Sequence, residues 1–327
     1  MISIRTTLLA ALVGAACVAL PGAAFAQTKL KFAHVYETSE AYHKWALWAA
    51  DEIKKRTGGR YEMQVFPASS LGKETDINQG LTLGTVDVIY TGQAFAARTY
   101  PPLAIGGAPF MFRDFNHWKK FSQSPVLQEL MDAYYKKGGN KPLAVTYYGV
   151  RHTTANKAIN KPEDMKGLKL RVPDAPLYVM YPKVVGANAT PIAFAEVYLA
   201  LQNKTVDAQE NPLPTIEAKK FYEVQTHINL TGHITEMLLT IVSGGVWDKL
   251  SDADKKTFEA VFREAAAKAT DDIAASETKL VDEFATKYKK IVVKSDRVAF
   301  AHAFEKFHLG PDATWDKPLY DKLQAIK

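Results

Sequence analysis

Leu30-Lys31-Phe32-Ala33-His34 opens a stretch that runs to Val86-Asp87-Val88-Ile89-Tyr90 and decides the fold. Leu30 to His34 alternates apolar and polar side chains and reads as a strand. Ala41 to Arg56 is a helical stretch closed by Gly58-Gly59. Tyr61 to Phe66 reads as a second strand, Thr75 to Leu83 as a helix, and Val86 to Tyr90 as a third, buried strand. This alternation predicts a mostly parallel sheet covered by helices on both faces. Such sheets take ligands at the carboxyl ends of their strands, where the strand order reverses. Those ends carry His34, Pro67-Ala68-Ser69-Ser70 and Thr91-Gly92-Gln93.

Downstream, a second α/β run follows. Leu143 to Tyr148, Thr153 to Ile159, Leu168 to Val172 and Thr205 to Ala208 read as strands. Pro176 to Val185, Phe194 to Gln202 and Thr215 to Phe221 read as helices. Two apolar strands, Val224 to Leu230 and Ile234 to Val242, are expected to lead the chain back to the first domain. With no repeat and no low-complexity linker, several short crossovers and a hinge are expected. Ser251 then reads as an N-cap, with Asp252 and Asp254 in the first turn, where the helix dipole favours negative charge. No Gly or Pro appears again before Gly310-Pro311. A continuous helix from Ser251 to Tyr288 is about 57 Å long at ~1.5 Å per residue, more than one domain's width. It is expected to run across both domains.

Upstream, residues 1–26 read as a secretory signal. Arg5 supplies the positive region, Leu8 to Leu20 the apolar one, and Ala24-Phe25-Ala26 the small-x-small cleavage pattern. The apolar run is too short to span a bilayer. The expected mature chain begins at Gln27 and lies in the periplasm. Cys17 is the single cysteine and leaves with the signal, which excludes disulfides, thiolate nucleophiles and Cys-ligated metals from the mature part. About 300 residues is above the usual size of one core, so two domains are expected. A composition of 47% apolar and 23% charged residues is that of an ordinary globular protein. The net charge of +6 comes from scattered lysines rather than a basic stripe with stacking aromatics, which argues against nucleic-acid binding.

Catalytic motifs are mostly missing: no Gly-x-Ser-x-Gly elbow, no His-Glu-x-x-His pair and no phosphate-cradling glycine loop occurs. The eight histidines lack metal-ligand spacing, so no metal and no cofactor are expected. Arginines near strand ends are more informative. Arg171 in Gly167-Leu168-Lys169-Leu170-Arg171-Val172-Pro173 lies on the opposite face from Leu170 and Val172, just before Pro173 ends the strand. A guanidinium held there presents a planar fork for a carboxylate, or else forms a structural salt bridge. Arg151 carries the same ambiguity, and Asn211 in Gln209-Glu210-Asn211-Pro212 reads alone as a turn or cap.

The stretches Val65-Phe66-Pro67-Ala68-Ser69-Ser70-Leu71-Gly72, 167–173, Ala193-Phe194-Ala195-Glu196-Val197-Tyr198-Leu199-Ala200-Leu201-Gln202, Val206-Asp207-Ala208-Gln209-Glu210-Asn211-Pro212 and Lys220-Phe221-Tyr222-Glu223-Val224-Gln225 follow one another along the chain. Together they resemble the DctP-type solute-binding proteins of TRAP transporters. The resemblance implies a two-domain, type II-like periplasmic binding protein fold with hinge strands and a long C-terminal helix spanning both domains. Residues 27–148 and 237–275 are expected in the first domain, and 149–236 and 276–327 in the second. It implies a periplasmic subunit, not an enzyme, that captures a small organic acid and delivers it to two TRAP membrane subunits. The family's carboxylate-anchoring arginine falls on Arg171, a second arginine on Arg151, the cleft asparagine on Asn211 and the packing aromatic on Phe194. His233 matches a polar position near the cleft of sialic-acid-binding members.

The departures narrow the ligand. Where sialic-acid-binding members carry a Glu and an Arg after the third strand, Gly92 and Phe95 stand here, which argues against sialic acid. Asp174 replaces an Asn, so a second ligand anion beside it would be repelled. His34, Tyr36, Glu37 and Gln93 are candidates for hydroxyl or keto groups on the far side of the ligand. A hydroxy or keto monocarboxylate, a sugar acid and a dicarboxylate all fit. The rival readings are a periplasmic enzyme with His34 or Glu37 as general base, and a sensory binding protein.

Overall fold

The computed structural model describes residues 27–327; the expected signal, with Arg5 and Ala24-Phe25-Ala26, lies outside the described residues. Strands β1 (Thr28–Ala33), β2 (Tyr61–Phe66) and β3 (Val88–Gly92) form as their periodicity dictates, and β1 pairs parallel with both neighbours. Helix α1 (Ala41–Arg56) turns Tyr42, Ala46, Ala49, Ala50 and Ile53 inward, one stripe at helical spacing. Helix α2 (Glu74–Leu83) begins with Glu74 and Asp76 in its first turn and ends on Gly84 in the left-handed region.

The remaining strands are β4 (Lys141–Ala155), β5 (Lys169–Val172), β6 (Asn188–Pro191), β7 (Ala208–Pro212), β8 (His227–Val242) and β9 (Ile291–Val293). They build one nine-stranded mixed sheet in the order β2-β1-β3-β8-β4-β7-β5-β6, with β9 beside β8. This is a two-domain α/β arrangement built on one mixed sheet. Strands β4 and β8, each expected as two strands, are continuous and pair antiparallel from Lys141–Val242 to Ala155–His227. At one end β8 joins β3, and at the other β4 joins β7, so the two strands carry the chain between lobes. Register shifts absorb the twist, one of them at Gly149, whose φ is +121°. A Cβ there would lie 2.6 Å from Glu277 Oε1 and 2.7 Å from Pro212 Cβ, so the bulge requires glycine.

The long helix Asp252–Thr286 has 35 residues, roughly 52 Å at ~1.5 Å each. Ser251 caps it: its Oγ accepts from the Asp254 N–H at 3.1 Å. Phe258 and Phe262 belong to the larger core, Leu280 and Phe284 to a smaller one with Val197, Leu213 and Phe221. The helix therefore ties both cores. The 276–327 segment, expected with the second lobe, divides. Phe300 and Phe304 pack on Tyr181, whereas the carbonyl of Leu323 lies 3.1 Å from His117 Nε2 on the first-lobe side. No described helix is long and apolar enough to cross a membrane.

Candidate functional site

The carboxyl ends of β1 and β3 and the first turn of α2 face residues of β4, β5 and β7 across a cavity of about 40 Å³. Among the expected site residues, Tyr36, Arg151, Arg171, Asp174, Phe194 and Asn211 line it together. The departures Gly92 and Phe95 line it as well.

Arg171 reaches the cavity because β5 ends at Val172 and its side chain is fully buried beneath the following loop. Its Nε and Nη2 donate to the Ile192 carbonyl at 2.9 and 2.7 Å, which fixes the plane of the fork. Its Nη1 is buried without a partner, and no carboxylate of a described residue pairs with it. Burial lowers its pKa to about 10, with Glu210 opposing and Arg151 adding to the shift, so it remains a cation at neutral pH. A buried donor that is left unpaired is costly, and a ligand acceptor relieves that cost.

Arg151 does something different. Its guanidinium is gripped by Glu210, through Nε to Oε2 and through Nη2 to Oε1 at 2.7 Å, and by Glu236 through Nη1 at 2.6 Å. Burial alone would push the Glu210 carboxyl up, but the Arg151 charge and His233 hold it down to about 2. Glu236 is raised, because burial and the Glu210 charge outweigh what Arg151 and the Tyr178 hydroxyl give back. One cation is thus shared by two carboxylates. The expected second carboxylate anchor is therefore committed within the protein, at the cavity wall.

Asn211 is buried, with Oδ1 accepting from the Tyr148 hydroxyl at 3.1 Å and Nδ2 donating to Gln209 at 2.7 Å. One Nδ2 hydrogen is left over, since an amide nitrogen carries two. Phe194 supplies an apolar wall, with Lys219 Nζ 5.2 Å from its ring centroid. Asp174 is an exposed rim residue whose carbonyl accepts from Arg98 at 2.7 Å.

Four expected residues stand back from the cavity. His34 is buried 3.2 Å from His43, and burial with His43 beside it lowers its pKa to about 3. Glu37 pairs with Lys219 at 2.7 Å. Gln93 is buried beside Gly106. His233 stacks on Tyr181 at 3.8 Å and lies 3.1 Å from Glu210, so it braces Glu210 rather than facing the cleft.

Sequence reading missed Glu74, Tyr148, Tyr178 and Glu236, all of which line the cavity. Glu74 Oε1 accepts from the Gly92 N–H at 2.8 Å and the Thr91 hydroxyl at 3.0 Å. A carboxylate thus stands beside Gly92 after all, supplied by α2. Its place in a helix first turn reads as a dipole-complementing acid, which hid it. Among the described residues no group of three His, Cys, Asp or Glu is placed to hold a metal ion.

Residues 32–309 match the family model of bacterial extracellular solute-binding proteins, family 7, DctP. Over 301 residues, 92% of this chain and 94% of the relative, the sequence is 34% identical to the sialic acid-binding periplasmic protein SiaP of Vibrio cholerae. The fold is similar to that of a TRAP periplasmic solute-binding protein from Bordetella bronchiseptica with density assigned to pantoate. There the TM-score is 0.87 at 33% identity, over 92% of this chain and 100% of that one. It is also similar to one from Polaromonas sp. JS666 bound to D-erythronate, with TM-score 0.85 and 35% identity over 92% and 99% of the two chains.

Proposed function

Because the chain belongs to the DctP family of bacterial extracellular solute-binding proteins, we propose that it captures a small hydroxy monocarboxylate on Arg171 in the periplasm and hands it to TRAP membrane subunits. The observation that carries this reading is the buried, unpaired Nη1 of Arg171 on the cavity wall. A fork whose other edge is fixed by Ile192 O is pre-organised, so little entropy is lost when a carboxylate meets it. The leftover Asn211 amide hydrogen supplies a second donor. Tyr36 and Phe194, with ring centroids 6.3 Å apart, pack on the carbon chain.

Gly92 and Phe95 on the cavity wall, in place of a polar pair that would read a longer tail, support a small acid over a nine-carbon sugar acid. The structural relatives holding pantoate and D-erythronate bind acids of this size and type. The protein binds and releases its acid without turnover.

Thermal unfolding against a panel of organic acids, sugar acids, amino acids and neutral sugars tests the reading. A ligand seen only by the folded state adds about 4 kcal/mol at a thousandfold excess over Kd. A large shift with hydroxy monocarboxylates is expected. Shifts with neutral sugars alone refute the Arg171 anchor, and conversion of the bound acid by pure protein refutes the transport reading.

A further inference from the structure

Arg171 and Glu74 enter the cavity from opposite lobes, one from β5 and one from the first turn of α2. Glu74 uses only one carboxyl oxygen within the protein: Oε1 takes both the Gly92 N–H and the Thr91 hydroxyl. Oε2 makes no hydrogen bond to any described residue, while part of the half-buried side chain opens on the cavity.

The charges around Glu74 are already committed. From β8, Glu236 adds a second carboxylate to the same wall; from β4, Arg151 is shared between Glu236 and Glu210. Tyr36, Tyr148 and Tyr178 face the cavity from β1's end, β4 and the loop after β5, all with hydroxyls held un-ionised chiefly by burial. At the rim, Lys73 is exposed and Asp174 leans on Arg98. Among the described lining residues Arg171 is the only buried cation that no carboxylate holds; Lys73, which also lines the cavity, is exposed. A ligand carboxylate that takes Arg171 brings a further anion to the wall that Glu74 shares with Glu236, where the nearest free cation, Lys73, is solvent-exposed.

We propose that Glu74 is a specificity-determining residue that reads a ligand hydroxyl as a proton donor, so that each captured acid draws a proton into the cleft. This rests on the carboxylate reading of Arg171. The proton moves from solvent to Glu74 Oε2, and the protonated carboxyl then donates to a hydroxyl oxygen of the ligand. Burial, with Glu236 opposed by Gly92, Thr91 and Arg151, already raises Glu74 to about 7, so near-neutral pH is where an anion tips it. By linkage, affinity falls as pH rises above that point, approaching tenfold per unit for one proton.

The test is calorimetric titration with D-erythronate, or pantoate where that binds more tightly, in buffers of different ionisation enthalpy from pH 6.5 to 9. Wild type is expected to take up about 0.5–1 proton at pH 7.5. Its Kd is expected to rise close to tenfold from pH 7.5 to 8.5. Glu74→Gln is expected to bind more weakly than wild type at pH 6.5, without proton uptake and with a flat pH profile. Glu74→Ala is expected to lose about tenfold of the preference for D-erythronate over butyrate, which lacks hydroxyls. Binding without proton uptake, or uptake that survives in Glu74→Gln and vanishes in Glu236→Gln, overturns the inference and leaves the Arg171 reading standing. Failure of every carboxylate to bind wild type overturns both.

Discussion

Lys219 Nζ lies 2.7 Å from Glu37 Oε1, joining the segment after β7 to the segment after β1 across the mouth of the cleft. Four residues before Lys219, Thr215 donates to the buried Glu40 carboxylate at 2.7 Å, between the same pair of segments. On the proposed reading, in which the lobes close on the ligand, contacts between these two segments add stability to the closed form. The Glu37–Lys219 pair is partly shielded from solvent, and such pairs contribute about 0.5–1 kcal/mol. Glu37→Gln is expected to raise Kd about threefold to fivefold, mostly by faster ligand release. Stopped-flow dissociation at low and high salt checks this: wild type should be salt-sensitive and the variant should not.

Arg171→Ala is expected to cost about 2–5 kcal/mol of binding, because the ligand anion is then buried without its partner. Arg171→Lys also weakens binding, since an ammonium does not reproduce the fork. The empty protein should respond in the opposite sense. Its guanidinium is buried with one nitrogen unpaired, and replacing a poorly compensated buried charge by an apolar side chain is often stabilising. Arg171→Met should therefore raise the unliganded Tm while abolishing binding. Calorimetry beside thermal unfolding reads both; a lowered Tm with intact binding would sink the assignment.

Much of this was legible in the residues. Alternation in β1 and β2 and the apolar stripe of α1 placed three elements to within a residue or two. Ser251 and the long stretch free of Gly and Pro marked the long helix. Arg171 stood out because Pro173 ends its strand. The continuity of β4 and β8 was hidden, because Gly149 and Gly232 adopt positive φ where the ladder shifts register and so read as breaks. Two helices, Phe115–Ser122 and Pro125–Gly138, went unread although Ser124 and Pro125 are an N-cap and a first-turn proline. Glu74 and Glu236 meet at the cavity from positions 162 residues apart (236 − 74), a proximity that tertiary pairing alone creates.

Gly149 makes the crossing strand a sensitive point. Its φ of +121° is strained for any residue with a Cβ, and Glu277 and Pro212 leave no room for one. Gly149→Ala is expected to cost about 1–3 kcal/mol or more. Chemical denaturation should show a lower midpoint with an unchanged slope, because the surface exposed on unfolding stays the same.

Buried histidines and buried carboxyls pull the pH profile of stability in opposite directions. Burial, with His233 and Arg297 nearby, lowers His152 to about 3. The unfolded chain binds that proton from about 6.5, so His152 removes stability as pH falls from 6.5 toward 3. Glu277 is raised to about 7 by burial, against the Tyr147 hydroxyl and the Val150 N–H. There the folded state holds a proton that the unfolded chain has lost above about 4.5, so stability is lost as pH rises from 4.5 to 7. The two slopes offset each other in wild type between about pH 4.5 and 6.5. His152→Asn, which keeps an acceptor for the Gly232 N–H, should therefore gain about 1–2 kcal/mol at pH 5 relative to pH 8. Glu277→Gln should gain a similar amount at pH 8 relative to pH 5. Denaturant unfolding of the two variants at both pH values decides the matter, and equal changes at pH 5 and 8 would refute the titration of either group.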